Sequence, residues 1–523
     1  TPQGTAAGGG VPDVRGELLA HEQATAGIAY TNTWLDASAV PSNLLSLLPL
    51  FCSLSTNTGL GKGAATGEAS DVQLAHRIGT ASGGISLGPA LSSIPGSGGR
   101  HVHARVAVRG KALRDKCGEL GDLLCDVALH SRLDDCGTAV HLLKESVAEK
   151  MASVPQSGHQ YAARFLGAAD SHEGAIGEVW GGVTSLHWQE AVLGALEGKA
   201  APTRSVVRRD IPGVGEQVPC IQLAPELPAV PCRYLDAGSA SRAREMFVED
   251  LLALRSVLMQ QQHATGVVTA DAATLGAASS VVSSLAYALP RGAAESGTQN
   301  TFDATPSSLW GMQQPASHSM QLLTAASSVN YVVQKVSLAG LMPASGDKLL
   351  PGWTDVVSSW LGTSFLWNTI RVQGGAYGAF MGANQVHGSA AFASYRDPKL
   401  AATLQAYGDC ATWLASGEHL PSQKEVDNAV ISTLGSLDSP MAPEARGALA
   451  ARRRALGITM EDVQQRRDEI LGTTPAHFKQ FGEALVQGAA TARAAAVTSV
   501  DAAHKDKQAF EALGYAVTSR PAL

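Results

Sequence analysis

Two stretches far apart in this chain open in the same order, and that recurrence constrains the fold more than any other feature. Gly27 to Asp36 alternates in strand fashion, and behind Ser42 an apolar run from Leu44 to Leu54 has the period of a buried helix. Much later, Asn330 to Leu338 alternates in the same way and leads to a long amphipathic helix over 353–370. Two strands, 376–383 and 388–395, then meet at a turn near Asn384. In the first half the corresponding pieces are a short strand at 85–87 and the alternating Val102, Ala104, Val106 and Val108, followed by long helices over 111–130 and 138–151. The expected fold class is therefore α+β, as two homologous domains, each a mainly antiparallel sheet with helices packed on one face.

The chain has 523 residues, more than one hydrophobic core ordinarily supports, which agrees with two domains. The first is expected over 1–255 and the second over 264–523. Prolines at 202, 212, 219, 225, 228 and 231 deny backbone donors across 199–235, which reads as an insertion in the first domain. Residues 290–320, rich in Gly, Ser, Thr and Pro, read as a loop of the second. Charged residues are only 16% against 45% hydrophobic, too apolar a balance for disorder, and the apolar run near Leu44–Phe51 is too short and interrupted to span a membrane. A net charge of -7 argues against a nucleic-acid surface, and Arg452-Arg453-Arg454 reads as a solvated helix face. Seven scattered cysteines form no Cys-x-x-Cys pair, so neither a disulfide framework nor a zinc ribbon is expected. The Gly/Ala-rich start at Thr1 lacks the features of a signal or transit peptide, and a leading segment is expected to have been removed.

Most candidate sites dissolve on inspection. His101 and His103 sit at alternate strand positions without a third ligand and are expected to face solvent. Glu418-His419 imitates the end of an inverted zinc motif, but the first histidine would fall at Ala415. Gly84-Ile85-Ser86-Leu87-Gly88 lacks the strand-to-helix turn of a nucleophile elbow, and Gly59-Leu60-Gly61-Lys62-Gly63 lacks the hydroxyl residue of a phosphate loop. No His-x-x-Glu-His or His-Glu-x-x-His occurs anywhere. What remains is Arg371-Val372-Gln373-Gly374-Gly375-Ala376-Tyr377-Gly378, followed by Ser394-Tyr395-Arg396-Asp397-Pro398. Here a guanidinium and a phenol flank a glycine pair that lets backbone approach a ligand closely.

Ordered blocks along almost the whole chain resemble the C-terminal half of the presequence-protease branch of the pitrilysin (inverzincin) peptidases. They include Leu48-Pro49-Leu50-Phe51-Cys52, Arg77-Ile78-Gly79, Val108-Arg109-Gly110-Lys111-Ala112, Ser157-Gly158-His159, Asn330-Tyr331-Val332, the Arg371 and Ser394 segments, and Arg466 to Leu471. The resemblance implies two homologous halves that close around a chamber admitting unfolded peptides. Zinc is expected on the N-terminal half, with no cofactor and no metal ligand in this chain. Arg371 and Tyr377 are implied as catalytic donors and Gly374 and Gly375 as substrate-binding positions. The implied function is that of the metal-free half of a zinc metalloendopeptidase that degrades targeting peptides and other short unfolded peptides, inactive as an isolated chain. Its implied partners are the zinc-bearing half, covalently joined or separate, and the peptides themselves; its implied location is the chloroplast stroma or mitochondrial matrix. The alternative is an inactive homologue serving as a structural subunit of a larger organellar complex, with the proline-rich insertion as a docking element.

Overall fold

The computed structural model describes residues 15–199, 205–211, 215–292, 310–313, 315–342 and 349–523. In chain order, β1 (Leu18–Glu22), β2 (Ile28–Asp36), β3 (Ile85–Ser93) and β4 (Val102–Leu113) come first. A small separate sheet follows, made of β5 (Val206–Ile211), β6 (Gly215–Ile221) and β7 (Val230–Pro231). β8 (Ala264–Ala270) then returns to the first sheet, whose order is β1-β8-β2-β4-β3. The second large sheet uses β9 (Ser319–Thr324), β10 (Tyr331–Ser337), β11 (Gly378–Asn384), β12 (Ser389–Tyr395), β13 (Arg493–Thr498) and β14 (Ala516–Pro521), in the order β11-β12-β10-β13-β9-β14. Removing β14 and reading the second sheet backwards gives β9-β13-β10-β12-β11, the first sheet's connectivity strand for strand.

The topology moves the expected boundary. β8 pairs parallel with β1 and antiparallel with β2, and the helix Leu275–Ala288 packs on the same core, so 264–289 belongs to the first unit rather than opening the second. Buried Trp310 also joins that core, and the second unit begins at β9. Most of the expected 290–320 loop lies outside the described residues, but its end is strand. The described part of 199–235 is also structured. β6 pairs β5, and β7 covers only Cys220 and Ile221, which lets the prolines coexist with a short sheet. Trp188 Nε1 donates to the Pro231 carbonyl at 2.9 Å and Arg520 donates to the Leu223 carbonyl at 2.9 Å, tying the segment to both units.

Each sheet has a second face, and each unit covers the other's. The helix Gly158–Ala168 leaves the first unit and lies on the second sheet, packing Tyr161, Ala162 and Phe165 against Tyr331, Val333, Ala495 and Val497. Its approach is close at Gly158, where a Cβ would stand 2.5 Å from the Tyr331 ring and 2.7 Å from Val497. In return the helix Pro443–Ala455 of the second unit lays Ala451 and Ala455 on Trp34, Ala107 and Val267 of the first sheet. There Gly447 meets Thr269, leaving no room for a side chain. This exchange overturns the expectation of a half-exposed β4. His103 and Ala107 are buried along with Val102, Ala104, Val106 and Val108, and His101 precedes the strand. Polar groups close the seam: Asp170 of the first unit pairs with both Lys335 and Arg493 of the second, and the Tyr331 hydroxyl donates to the carbonyls of Pro155 (2.9 Å) and Gln156 (3.0 Å).

Inside the first unit's helical layer sits Glu178, fully buried, with one carboxylate oxygen accepting from the Thr184 N–H at 2.8 Å. Burial pushes its carboxyl above the ordinary range, against the opposing pull of Thr184, Arg164 and Lys150, and burial likewise pushes Lys150 down to about 8. A carboxyl with a raised native pKa binds more protons folded than unfolded, so stability falls as pH rises from the unfolded value near 4.5 through the native one. Glu178→Gln is expected to flatten that fall in denaturation midpoints measured against pH; an unchanged slope would contradict the assignment. At the two exchange contacts, Gly158→Ala and Gly447→Ala are each expected to cost about 1–3 kcal/mol by overpacking. Gly408→Ala, in the exposed interior of the helix Ala401–Ala415 with nothing near its would-be Cβ, is expected to gain up to about 1 kcal/mol in the same urea titration.

Candidate functional site

The expected 353–370 helix is two pieces. A regular α-helix runs over Trp353–Thr363, Ser364 breaks it with φ -113° and ψ -96°, and a π-helical turn occupies Trp367–Gln373. Such widened turns are uncommon and recur at functional sites. Arg371 lies in this turn, one turn beyond Trp367, and its guanidinium carbon stacks 4.0 Å from the Trp367 ring centroid. The chain then reverses. Gly375 adopts φ +85°, and the N–H groups of Gly375 and Ala376 close on the carbonyls of Arg371 (2.9 Å) and Ile370 (3.1 Å). Gly374 lies so close to the Ile370 carbonyl that a Cβ would collide with it. The glycine pair is thus required by the reversal itself, and neither glycine lines the adjoining groove.

The reversal delivers Tyr377 to the start of β11, where its N–H donates to the carbonyls of Tyr395 (3.1 Å) and Arg396 (3.4 Å). Tyr377 is 68% exposed and its ring lies 5.8 Å from the Arg371 guanidinium carbon, so the two side chains expected from sequence do meet, and at the surface rather than in the core. Behind them runs a chain of ring contacts: Tyr377 to Tyr395 at 5.9 Å, Tyr395 to Tyr331 at 5.5 Å, and Tyr395 to His159 at 5.1 Å. His159 comes from the helix lent by the first unit, and it also meets Phe380 of β11 at 5.8 Å. Burial pushes the His159 imidazole below its ordinary value, favouring the neutral ring.

The Ser394 to Pro398 segment turns out to be a buttress. Arg396 has φ +48°, and buried Asp397 accepts from the Thr403 hydroxyl (2.7 Å) and the Lys399 N–H (2.9 Å). The backbones of Asp397 and Asn330 bond reciprocally at 2.8 Å, fixing the β12 end against β10. Arg371, Trp367 and Phe380 open onto a groove of about 600 Å³ between the Trp353–Thr363 helix and β11. Chemically this is a cation and a phenol held beside an open trough, suited to donating to an oxygen that gains negative charge. Trp367 escaped sequence reasoning because it sat inside an apparently regular amphipathic helix; the signal was its place four residues before Arg371.

Ser86 lies within β3 opposite Arg109, His419 stacks on Trp413 at 5.3 Å, and His141 meets Glu145 at 3.3 Å on an exposed helix face. Among the described residues, no group of three or more His, Cys, Asp or Glu side chains is placed to hold a metal ion. No described helix is long and apolar enough to cross a membrane.

Comparison with known proteins places this arrangement. Residues 324–501 match the family described as the PreP C-terminal domain, and residues 12–190 match the family of domains associated with subfamily C of the M16 peptidases. A peptidase M16 inactive domain from Pseudomonas fluorescens shares the fold with a TM-score of 0.52 at 13% identity, over 92% of this chain and 95% of that one. A protease from Helicobacter pylori gives 0.55 at 12% identity, over 92% and 97%. The chain thus shares its fold with these M16 peptidase structures, and its two units match the domain families of such enzymes. It corresponds to the C-terminal half of the presequence proteases. It is 28% identical to presequence protease 1, chloroplastic/mitochondrial, of Arabidopsis thaliana over 96% of this chain and 40% of that protein. It is 22% identical to the mitochondrial presequence protease of Schizosaccharomyces pombe over 89% of this chain and 40% of that protein. The chain thus spans about two-fifths of the length of these relatives.

Stacking on Trp367 is expected to place Arg371 in the ring current of the indole. Trp367→Leu should shift the Arg371 Nε–H resonance downfield in a selectively labelled sample; an unmoved resonance would show that the stack does not form in solution.

Proposed function

We propose that this chain is the metal-free C-terminal half of a presequence-protease-like zinc metalloendopeptidase, acting on targeting peptides and other short unfolded peptides. The observation that carries the reading is the Arg371 and Tyr377 pair, brought together on a rigid reversal and left facing outward, with ring contacts as their support. In this reading the hydrolytic zinc belongs to the N-terminal half. What this chain supplies is a pair of fixed donors for the scissile carbonyl oxygen as it becomes an oxyanion. A guanidinium held against an aromatic ring needs little reorganisation to receive that charge, which is the condition for electrostatic stabilisation to count in the transition state. Placing donors and metal on opposite halves makes closure assemble the site and restricts substrates to chains that fit between them.

An organellar location is supported by the names of the plant and yeast relatives, chloroplastic/mitochondrial and mitochondrial, and in this reading the compartment is the chloroplast stroma or mitochondrial matrix. A purely structural role in a larger complex would be favoured by an insertion free to dock elsewhere. The described part of 205–235 instead packs against Trp188 and Arg520 of its own chain.

With a zinc-bearing half supplied, Arg371→Ala and Tyr377→Phe are each expected to lower peptide turnover by about 10²–10³ while leaving thermal unfolding unchanged. Undiminished cleavage in both variants would remove the donor assignment. Metal analysis of the isolated chain is expected to find no stoichiometric zinc.

A further inference from the structure

We infer that β11 is a docking edge: an extended peptide segment pairs with it as an added strand, along the groove that ends at Arg371. This rests on the reading that the donors face a peptide, and it specifies how that peptide is held. β11 is the outermost strand of its sheet, paired with β12 from Gly378 to Asn384, and among the described residues no strand lies on its other side. Every second residue of such a strand turns an N–H and a C=O outward, and these groups are complementary to the backbone of another strand.

Edges are ordinarily blunted by charge, proline or a bulge, and the other outer strands of the two large sheets follow that rule. β1 carries Glu22, β3 carries Pro89, and β14 carries Arg520 and Pro521. β11 reads Gly-Ala-Phe-Met-Gly-Ala-Asn, with no charge and no proline, and its register with β12 is continuous.

The groove follows this edge. Gly378 through Ala383 line it in unbroken succession, whereas a cavity on a sheet face would meet alternate residues only. On the neighbouring helix its lining is small: Ser358, Ser359, Gly362 and Thr363. Trp367 and Phe380, each 42% exposed, offer apolar surface for side chains of the incoming strand. Asp355, the acid in the groove, is already paired with Arg466, so Arg371 is the lining charge left to act on the occupant. Seven strand residues reach about 23 Å, enough for a segment of about seven residues whose backbone is read and whose sequence is not. Because Tyr377 immediately precedes β11, a segment bound there carries its backbone carbonyls towards the donor pair.

The test uses the full chain and a synthetic unstructured peptide of about ten residues with two aromatic side chains, alongside the same peptide N-methylated on alternate backbone nitrogens. The plain peptide is expected to slow hydrogen exchange at the amides of Gly378–Asn384. The N-methylated form, with unaltered side chains, is expected to bind at least about tenfold more weakly, since two or more backbone hydrogen bonds are lost. Equal binding of the two peptides, or protection confined to another part of the chain, would overturn the proposal. So would protection that grows with protein concentration without peptide, which would make a second copy of this chain the occupant. Turnover separates this idea from the donor reading. Protection of β11 together with cleavage indifferent to both Arg371→Ala and Tyr377→Phe leaves the edge standing and removes the donors. Cleavage that depends on Tyr377 without protection of β11 removes the edge alone.

Discussion

The reciprocal loan of helices between the two units is the interaction on which the remaining structure depends. A sheet with helices on one face leaves a second apolar face to be covered, and here the cover for each comes from the other unit. Gly158–Ala168 shields Tyr331, Val333, Ala495 and Val497, while Pro443–Ala455 shields Trp34, Ala107 and Val267. Withdrawing either helix would expose a contiguous apolar surface, which a stable monomer seldom tolerates. The two units are therefore one folding entity in spite of their repeated topology. The close approach explains why glycine sits at each crossing: backbone must come nearer to the sheet than any side chain would permit.

The loan also reaches the candidate site. His159 arrives on the borrowed helix and touches Tyr331, Phe380 and Tyr395, and Tyr395 in turn carries Tyr377. Tyr331 is anchored from the other side by the carbonyls of Pro155 and Gln156. The position of an exposed phenol is thus fixed by packing between units through a run of aromatic rings, each too large to shift without its neighbours. Arg371 is held differently, by a stack within its own turn. Two donors with independent supports can both be stiff, which matters because side chains as long as arginine otherwise surrender considerable rotamer entropy when they bind.

Much of this was legible in residues, for reasons that can be named. β2 and β10 were readable from the alternation of their residues, whereas the glycine pair before Tyr377, read as a place where backbone approaches a ligand, proved to be a chain reversal. β13 was missed because Ala494, Ala495 and Ala496 are all fully buried, so both faces are apolar and no alternation exists to read. The small side chains are what the borrowed helix needs to come close. β4 was misread for the same cause, since the cover on its second face comes from a helix hundreds of residues later. The boundary at 255–264 failed because β8 closes the first sheet after its helices, a long-range pairing that local periodicity does not contain. Trp367 was invisible as a support for Arg371 because nothing local forecast the break at Ser364.

The order of the strands gives the site its direction. β3 and β11 hold equivalent places in the two sheets, each outermost beside its hairpin partner. In the first unit that edge is interrupted by Pro89, and no comparable arginine and tyrosine pair precedes it. In the second, the edge is smooth, the groove's lining on the neighbouring helix is small, and the preceding turn is widened so that its arginine stacks sideways instead of continuing a helical face. A common architecture has thus been left closed to strand addition in one copy and open in the other. The asymmetry between two equivalent edges is hard to attribute to folding, since both sheets are stabilised by the same exchange of helices. Use of the open edge accounts for it.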